Sequence, residues 1–187
     1  MLTAQNIKRI VISGPESTGK SALTQALAEK FQTRWIPEYA REYVQSLNHP
    51  YQYQDVVRIA RHQIGQEETI AEDVLPGNIL FFDTWLIITK VWFDLVFGKC
   101  PEFVLDHIRR SEIDLFLVCN TDLPWIADQV RENGGEKREE LLQLYCKEIR
   151  SFGFNYELIS GSGEARTENA IRVLAAHGMN LRSDKVV

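Results

Sequence analysis

The stretch Gly14-Pro15-Glu16-Ser17-Thr18-Gly19-Lys20-Ser21 matches the phosphate-binding pattern G-x-x-x-x-G-K-[ST] at all four fixed positions. Glycine lets successive backbone N–H groups turn towards phosphate oxygens, while Lys20 supplies a positive charge and Ser21 a hydroxyl for Mg²⁺. A β-branched run at 7–13 precedes the octet, and a segment with helical spacing follows it at 21–28. This order predicts a P-loop that binds a nucleoside triphosphate with Mg²⁺, and the alternative is a glycine-rich turn that binds no phosphate.

Length and composition restrict the class of protein. The chain has 187 residues and a formal net charge of −5. The length predicts one P-loop domain over residues 1–187 with a real core, and the negative charge makes nucleic acid an unexpected partner. Three cysteines without metal-ligand spacing indicate reduced thiols, and no apolar stretch approaches the roughly 18 to 20 residues of a membrane span. We therefore expect a soluble, cytoplasmic protein without membrane association; its oligomeric state is not indicated.

Strand and helix patterns alternate along the chain. The β-like runs lie at 7–13, 35–38, 78–83, 114–120 and 156–160. Such alternation, together with the octet, predicts an α/β fold of the P-loop NTPase class, with a five-stranded parallel sheet and helices on both faces. One long helix is expected over 54–73 despite Gly65, and a short one over 122–130.

A carboxylate ends the apolar run Ile79-Leu80-Phe81-Phe82-Asp83. A buried central strand would bring this acid to the carboxyl edge of the sheet, where ligands bind. P-loop enzymes pair the Ser/Thr of the loop with an acid at the end of a neighbouring strand, so Ser21 and Asp83 are the candidate Mg²⁺ residues. The alternative is that Asp83, together with Thr84, caps the following helix.

A second carboxylate, Glu38, ends the weaker run at 35–38, and Arg41 follows three positions later. If the strand turns into a helix here, the two side chains can converge to orient a substrate hydroxyl and stabilise the phosphoryl group that it attacks. A surface salt bridge is the alternative. Tyr39, between them, is a candidate acceptor-side residue, although packing is the more ordinary role for such a ring.

A charged segment surrounds Asn133-Gly134-Gly135 after the fourth run. One interpretation is a solvated surface loop. The other is a mobile lid, approximately residues 124–140, whose Arg131 and Arg138 close over the phosphates, because phosphoryl transfer needs cations on the developing charge and exclusion of water. Arg166, after the fifth run, is a candidate contact for the nucleotide base.

Five segments together resemble the kinase domain of the NadR-type nicotinamide riboside kinases. They are GPESTGKS at 14–21, PEYAREY at 37–43, the pair His62-Gln63, FFDTWLIITKVW at 81–92 and LPWIADQVR at 123–131. Each segment after the first is weak alone, but five in the same order and at similar spacing are specific for the family. The adenylyltransferase domain of bifunctional members has no counterpart before the first run, so the chain resembles a stand-alone kinase module.

The resemblance implies a nucleoside- or nucleotide-kinase-like fold with a short lid. It also implies ATP- and Mg²⁺-dependent phosphorylation of a ribosyl 5′-hydroxyl, with nicotinamide riboside as the expected acceptor in NAD biosynthesis. Asp83 would lie near the metal and the substrate, and Glu38 with Arg41 at the acceptor side. The E-x-x-R spacing is also similar to the D-x-x-R element of phage-type polynucleotide kinases, in which the acid is the general base. Arg131 matches the arginine of the family's PWV-D-x-x-R segment and inherits a lid or phosphate role. Glu38 and Asp83 both stay open as the base.

Two departures from the family pattern fall at the acceptor side. Pro37 stands where many members have a tryptophan that stacks on the nicotinamide ring, and Trp85 stands where the family has the second aspartate of its DTD motif. Trp85 either replaces the stacking surface or fills the core. Two other functions therefore stay open. One is a kinase for another nucleoside, a nucleotide or a polynucleotide 5′-end; the other is a regulatory protein that binds and slowly hydrolyses ATP.

Overall fold

The five predicted strands form one parallel sheet. The computed structural model describes residues 7–72, 74, 78–127 and 134–181. Its strands are β1 (Lys8–Ser13), β2 (Trp35–Ile36), β3 (Ile79–Asp83), β4 (Leu115–Cys119) and β5 (Tyr156–Ile159), in the spatial order β2-β3-β1-β4-β5. Every neighbouring pair is parallel. The α/β fold with a five-stranded parallel sheet is confirmed, and the carboxyl ends of all strands meet at one edge.

Seven α-helices connect the strands within the described ranges. They are α1 (Lys20–Lys30), α2 (Tyr39–Ser46), α3 (Tyr53–Glu72), α4 (Leu86–Trp92), α5 (Glu102–Arg110), α6 (Glu136–Ser151) and α7 (Gly163–Ala176). The last turn of α4 continues into a π-helical turn over Phe93–Phe97. The long helix predicted over 54–73 is α3, which Gly65 does not interrupt. None of the described helices is long and apolar enough to cross a membrane.

The prediction of a short helix over 122–130 is wrong for the part that the structure describes, since residues 122–127 are not helical. Pro124 lacks an N–H, and the surrounding backbone bonds to other parts of the chain. The carbonyl of Leu123 accepts from Arg138, and Ile126 exchanges two hydrogen bonds with the Ser17 hydroxyl. Tertiary contacts thus take the backbone groups that a helix would have used. Residues 128–130 lie outside the described residues.

The sheet separates two hydrophobic layers. Along the three central strands, alternate side chains enter opposite layers, because successive strand residues point to opposite faces. One layer, containing Val11, Leu80 and Phe116, packs against α3, α4, α5 and α6. The other, containing Ile10 and Phe81, packs against α1 and α7. Burial on both faces explains why β3 and β4 read as unbroken apolar runs in the sequence.

Candidate active site

The octet at 14–21 forms the connection from β1 to α1, so the prediction of strand, loop and helix is confirmed. Gly14 has a φ of +133°, and a Cβ there would lie 2.7 Å from the carbonyl oxygen of Cys119. Only glycine lets the loop pass this close to the end of β4. Gly19, with a φ of +76°, leads into α1 at Lys20. The N–H groups and positive dipole end of α1 therefore lie at the carboxyl edge of the sheet, as a phosphate site requires.

The ammonium group of Lys20 lies across this loop. Its Nζ donates to the carbonyl of Pro15 at 2.8 Å, and the hydroxyl of Thr18 donates to the same carbonyl at 2.8 Å. A phosphate oxygen is a stronger partner for an ammonium group than a neutral carbonyl. Lys20 is thus held where it can exchange its carbonyl partner for a phosphate.

Asp83 lies beside the loop, because β3 pairs with β1 and sets Asp83 opposite Ile12. Its side chain is only 3% exposed and accepts a hydrogen bond from Ser21. Burial and the charge of Glu38 raise the pKa of Asp83 to about 6, while Ser21 and Lys20 oppose the rise. The predicted pairing of Ser21 with an acid at the end of a neighbouring strand is present.

The arrangement fits a bound Mg²⁺. Oδ1 of Asp83 is buried and has no hydrogen-bond partner among the described residues. A buried, unsatisfied carboxylate oxygen next to a hydroxyl is the hard-oxygen donor that Mg²⁺ prefers. The described residues contain no cluster of three His, Cys, Asp or Glu side chains that could hold a metal. A Mg²⁺ ion here would therefore take its other ligands from phosphates and water, as this ion usually does.

The alternative role of Asp83 as a helix cap is not what the structure has. α4 begins at Leu86, and its N-cap residue is Trp85, whose side chain makes no capping hydrogen bond among the described residues. Asp83 is instead followed by Thr84 in the left-handed region, with a φ of +67°. The carboxylate is left available to the P-loop edge.

Glu38 lies near Asp83, because β2 pairs with β3 and sets Ile36, two residues before Glu38, opposite Phe82, the residue before Asp83. Glu38 is the residue before α2, and its side chain makes no capping hydrogen bond within the described part of the chain. Its charge contributes to the raised pKa of Asp83, in agreement with this placement. Arg41 lies in the first turn of α2 and is half-buried. The predicted change from strand to helix at this point is present.

Tyr145 is a neighbour of this region that the sequence analysis missed. It lies on α6 and is buried against Val91 and Leu141. Burial and then the charges of Glu16 and Glu38 raise the pKa of its phenol above the usual range. No sequence motif marks this residue, since only the packing of α6 brings it to the P-loop.

The structure decides between the two roles considered for Trp85. Its side chain is 2% exposed, and its ring packs against Phe116 and Phe154 at centroid distances of 6.0 and 5.9 Å. Its Nε1 donates to Oε2 of Glu67 at 3.1 Å. Of the two roles considered for Trp85, the structure has the core one, and its place among the acceptor contacts is not supported, because the indole is enclosed in the core.

Two segments of the motif set meet at α2 and α3. The ring of Tyr39 stacks on His62, with 3.5 Å between ring centroids and 21° between ring planes. Tyr43 contacts Tyr39 at 5.7 Å and donates from its hydroxyl to Asp55 at 3.0 Å. Tyr39 is half-buried and His62 is exposed, so an aromatic surface adjoins Glu38.

The predicted lid is partly described. Asp128 and Arg131 lie outside the described residues, and α6 already begins at Glu136. Arg138 is buried, and its Nη atoms donate to the carbonyls of Leu123 at 3.0 Å and Ser17 at 3.3 Å. Arg138 therefore ties the segment to the backbone of the P-loop; this differs from the mobile cation expected from the sequence.

Arg166 joins three loops at the same edge. Its guanidinium is buried, donates to the carbonyls of Thr18 and Gly161, and forms an ion pair with Asp122. Asp122 also accepts from the N–H of Gly161 at 2.6 Å. Arg166 thereby links the P-loop to the loops after β4 and β5, and a contact with the nucleotide base stays a prediction.

Comparison with known proteins identifies the family. The AAA domain family matches residues 9–166. The chain belongs to this family. The trifunctional NAD biosynthesis/regulator protein NadR of Salmonella typhimurium is 31% identical over 148 residues, which cover 76% of this chain and 35% of that protein. The resemblance to NadR is confirmed, and the chain spans about a third of this relative's length.

Solved structures agree on the fold. A NadR protein in complex with NR superposes with a TM-score of 0.75 at 21% identity, over 95% of this chain and 52% of that chain. Deoxyadenosine kinase from M. mycoides, with products bound, gives a TM-score of 0.61 at 14% identity, over 90% and 99% of the two chains. The predicted nucleoside-kinase-like P-loop fold is therefore confirmed.

Proposed function

We propose that this protein is an ATP-dependent kinase that transfers the γ-phosphoryl group to the 5′-hydroxyl of a riboside, with nicotinamide riboside as the first candidate. The observation that carries the proposal is the meeting of the P-loop with two carboxylates, Asp83 and Glu38, which follow the paired ends of β3 and β2 beside β1. A nucleotide switch needs the loop and one acid. The second carboxylate supplies a group that can bind an acceptor hydroxyl.

The donor side consists of the octet at 14–21. Its backbone N–H groups and Lys20 would bind the ATP phosphates, with Lys20 leaving the carbonyl of Pro15. Ser21 and Asp83 would hold Mg²⁺, which when bound neutralises charge on the phosphate oxygens. Arg41 and Arg131 are proposed to add positive charge around the transferred group, and Arg166 to lie near the nucleotide base. Most of the rate acceleration then comes from positioning and charge neutralisation.

Glu38 is the proposed general base. Asp83 is buried and already bonded to Ser21, which suits a metal ligand. Glu38 stands at the start of α2, is half-buried and has no capping bond in the described chain, so its carboxylate is available to a hydroxyl at the acceptor side. Glu38 would accept the proton of the 5′-hydroxyl or hold that hydroxyl in line with the γ-phosphate.

The identity of the acceptor rests on fewer residues than that of the phosphate donor. Pro37 offers no stacking ring, and Trp85 is buried. Tyr39, stacked on His62, supplies the aromatic surface beside Glu38 and is the proposed contact for the acceptor. The 31% identity with NadR favours nicotinamide riboside. The similarity in fold to a deoxyadenosine kinase keeps another nucleoside as the second candidate.

A panel of nucleosides tests the acceptor. ATP consumption and phosphorylated product are measured with nicotinamide riboside, the common nucleosides and a 5′-hydroxyl oligonucleotide. We expect the highest kcat/KM with nicotinamide riboside. Turnover of a different nucleoside alone would replace the acceptor, whereas equal, slow ATP hydrolysis with every acceptor would favour a regulatory ATPase.

Side-by-side variants test the base. Glu38→Gln is expected to lower kcat by roughly 10²- to 10⁴-fold with little change in ATP binding, since it removes only the proton acceptor. Glu42→Gln, an exposed carboxylate on the same helix, is the matched control and keeps wild-type turnover. Asp83→Asn is expected to weaken the Mg²⁺ dependence of nucleotide binding. Near wild-type kcat in Glu38→Gln would contradict the assignment of the base.

A further inference from the structure

A strained turn follows the proposed Mg²⁺ residue Asp83. Thr84 has a φ of +67°, a conformation that a β-branched residue seldom adopts. It is buried, and its N–H donates to the carbonyl of Ile12 at 3.0 Å. Strained backbone of this kind persists only where the surrounding structure holds it in place.

The next residue shows what holds it. Trp85 has extended backbone, with φ −160° and ψ 178°, and its indole turns away from the P-loop edge into the core. The ring touches residues from three parts of the chain, including His107 of α5 at a centroid distance of 6.5 Å. Its N–H reaches Glu67 of α3 at 3.1 Å. The turn after β3 is therefore anchored through one side chain to a helix on the sheet face.

Glu67 is a fixed acceptor. It is 8% exposed, and besides Trp85 its carboxylate has His107 Nε2 at 3.3 Å and Arg9 Nε at 3.6 Å. A buried carboxylate needs such partners, and three of them from different elements restrict its position. Arg9 lies near the amino end of β1, at the opposite end of the sheet from Asp83. These residues border a cleft of about 510 Å³ that is separate from the P-loop.

We propose that Glu67 is a positioning residue for the Mg²⁺ site. Its hydrogen bond to Trp85 holds the turn at Thr84 and thereby holds the Asp83 carboxylate against Ser21. The inference rests on the proposed function for its activity readout, but not for its binding readout.

The binding test uses the whole chain and no acceptor. The Kd of AMP-PNP is measured without and with Mg²⁺. The Mg²⁺ ratio, which is the Kd without Mg²⁺ divided by the Kd with Mg²⁺, reports how well Asp83 and Ser21 hold the metal. Trp85→Phe removes the indole N–H and retains an aromatic ring, and Glu67→Leu removes the acceptor. Both are expected to reduce the ratio by roughly 10- to 100-fold, as loss of an outer partner of a metal ligand does, with the Mg²⁺-free Kd within about two-fold.

Controls separate positioning from stability. Glu68→Leu changes the exposed neighbour on α3, and Ile149→Val loosens the same hydrophobic layer on α6. Both should retain the wild-type ratio whatever they do to the melting temperature. Glu67→Gln retains a hydrogen-bond acceptor and should restore the ratio to within about three-fold of wild type; this variant and Trp85→Phe carry the test if Glu67→Leu does not fold.

A spectroscopic signal follows the anchor directly. The ¹H–¹⁵N indole peak of Trp85, identified by its loss in Trp85→Phe, should shift in Glu67→Leu and also when Mg²⁺ and AMP-PNP bind. In kinetics, the KM for ATP in the presence of Mg²⁺ should rise in Glu67→Leu, because Mg²⁺ then adds less to nucleotide binding, while the KM for the acceptor stays within about two-fold.

The outcomes distinguish the two proposals. An unchanged Mg²⁺ ratio in Trp85→Phe and Glu67→Leu, or in Trp85→Phe alone if Glu67→Leu does not fold, would overturn the positioning role. An indole peak that does not shift when Mg²⁺ and AMP-PNP bind would do the same. If Trp85→Phe and Glu67→Leu lose the Mg²⁺ ratio but the wild type phosphorylates no acceptor, the kinase assignment is overturned and the positioning role remains.

Discussion

Removing the charge of Asp83 should stabilise the folded protein while damaging its site. The pKa of Asp83 is raised from 3.8 to about 6, first by burial and then by Glu38. The folded chain therefore holds this proton more tightly than the unfolded chain does. The free energy of unfolding falls as the pH rises from about 4 to about 6, and the deficit is fully present above pH 6.

The size of the effect follows from the shift. A difference of about two pKa units corresponds to about 3 kcal/mol of unfolding free energy. Asp83→Asn keeps the shape and removes the ionisation, so it should be more stable than the wild type by up to about 3 kcal/mol at pH 7.5. For a chain of this length that is roughly 6 to 12 °C in melting temperature.

The assay is urea unfolding of both proteins between pH 4 and 8, without nucleotide or Mg²⁺. The difference in unfolding free energy between the two proteins should be large at pH 7.5 and shrink towards pH 4, where the folded wild type holds the Asp83 proton and the unfolded chain is about half protonated. Adding Mg²⁺ and AMP-PNP at about 100 times Kd should stabilise the wild type by about 2.7 kcal/mol, and the variant by less. Equal stability at pH 7.5, or a gap that persists at pH 4, would refute the reasoning.

Three further changes have calculable outcomes. Gly14→Ala places a Cβ 2.7 Å from the carbonyl oxygen of Cys119, so it should lower the free energy of unfolding by about 3 kcal/mol or more and abolish AMP-PNP binding. The control is Gly153→Ala, where no described atom lies within 4 Å of the new Cβ; it should lower that free energy by about 1 kcal/mol and retain binding. Urea unfolding and calorimetry measure the two effects. The backbone N–H of Gln52 donates to Asp55 and lowers its pKa, so Asp55→Asn should lower the free energy of unfolding by about 1 kcal/mol at pH 7. The difference between variant and wild type should shrink as the pH falls below the usual pKa of 3.8. A larger difference in acid would contradict this. Cys119, whose pKa burial raises to about 11, should resist iodoacetamide at pH 8 in the folded protein and react in urea, as followed by mass spectrometry; rapid native labelling would show that this thiol is accessible.

Local patterns predicted most of the fold. The apolar runs that became β1, β3 and β4 are continuous because both faces of these strands are buried, and such runs can be found in one sequence. The octet at 14–21 was also readable, since backbone close approach and phosphate binding demand particular residues at fixed spacing. The three cysteines, expected as free thiols, are free in the structure.

Contacts between distant segments overturned the less regular predictions. The helix expected over 122–130 is absent from its described part because Ser17 and Arg138 take the backbone hydrogen bonds of that segment. Arg138 was expected as a mobile cation, yet it is buried against the P-loop. Neither outcome has a local signal, because the competing partners are more than ten residues away.

The turn after β3 shows most clearly what local sequence and what tertiary contacts each decide. The sequence by itself determined that a carboxylate stands at the end of β3 and that tryptophan follows two residues later. It could not determine which way that tryptophan points. The left-handed turn at Thr84 and the carboxylate of Glu67, on a helix earlier in the chain, direct the indole of Trp85 into the core. Strand and helix periodicity are properties of neighbouring residues, whereas the direction of a side chain after a turn depends on partners that only folding brings together.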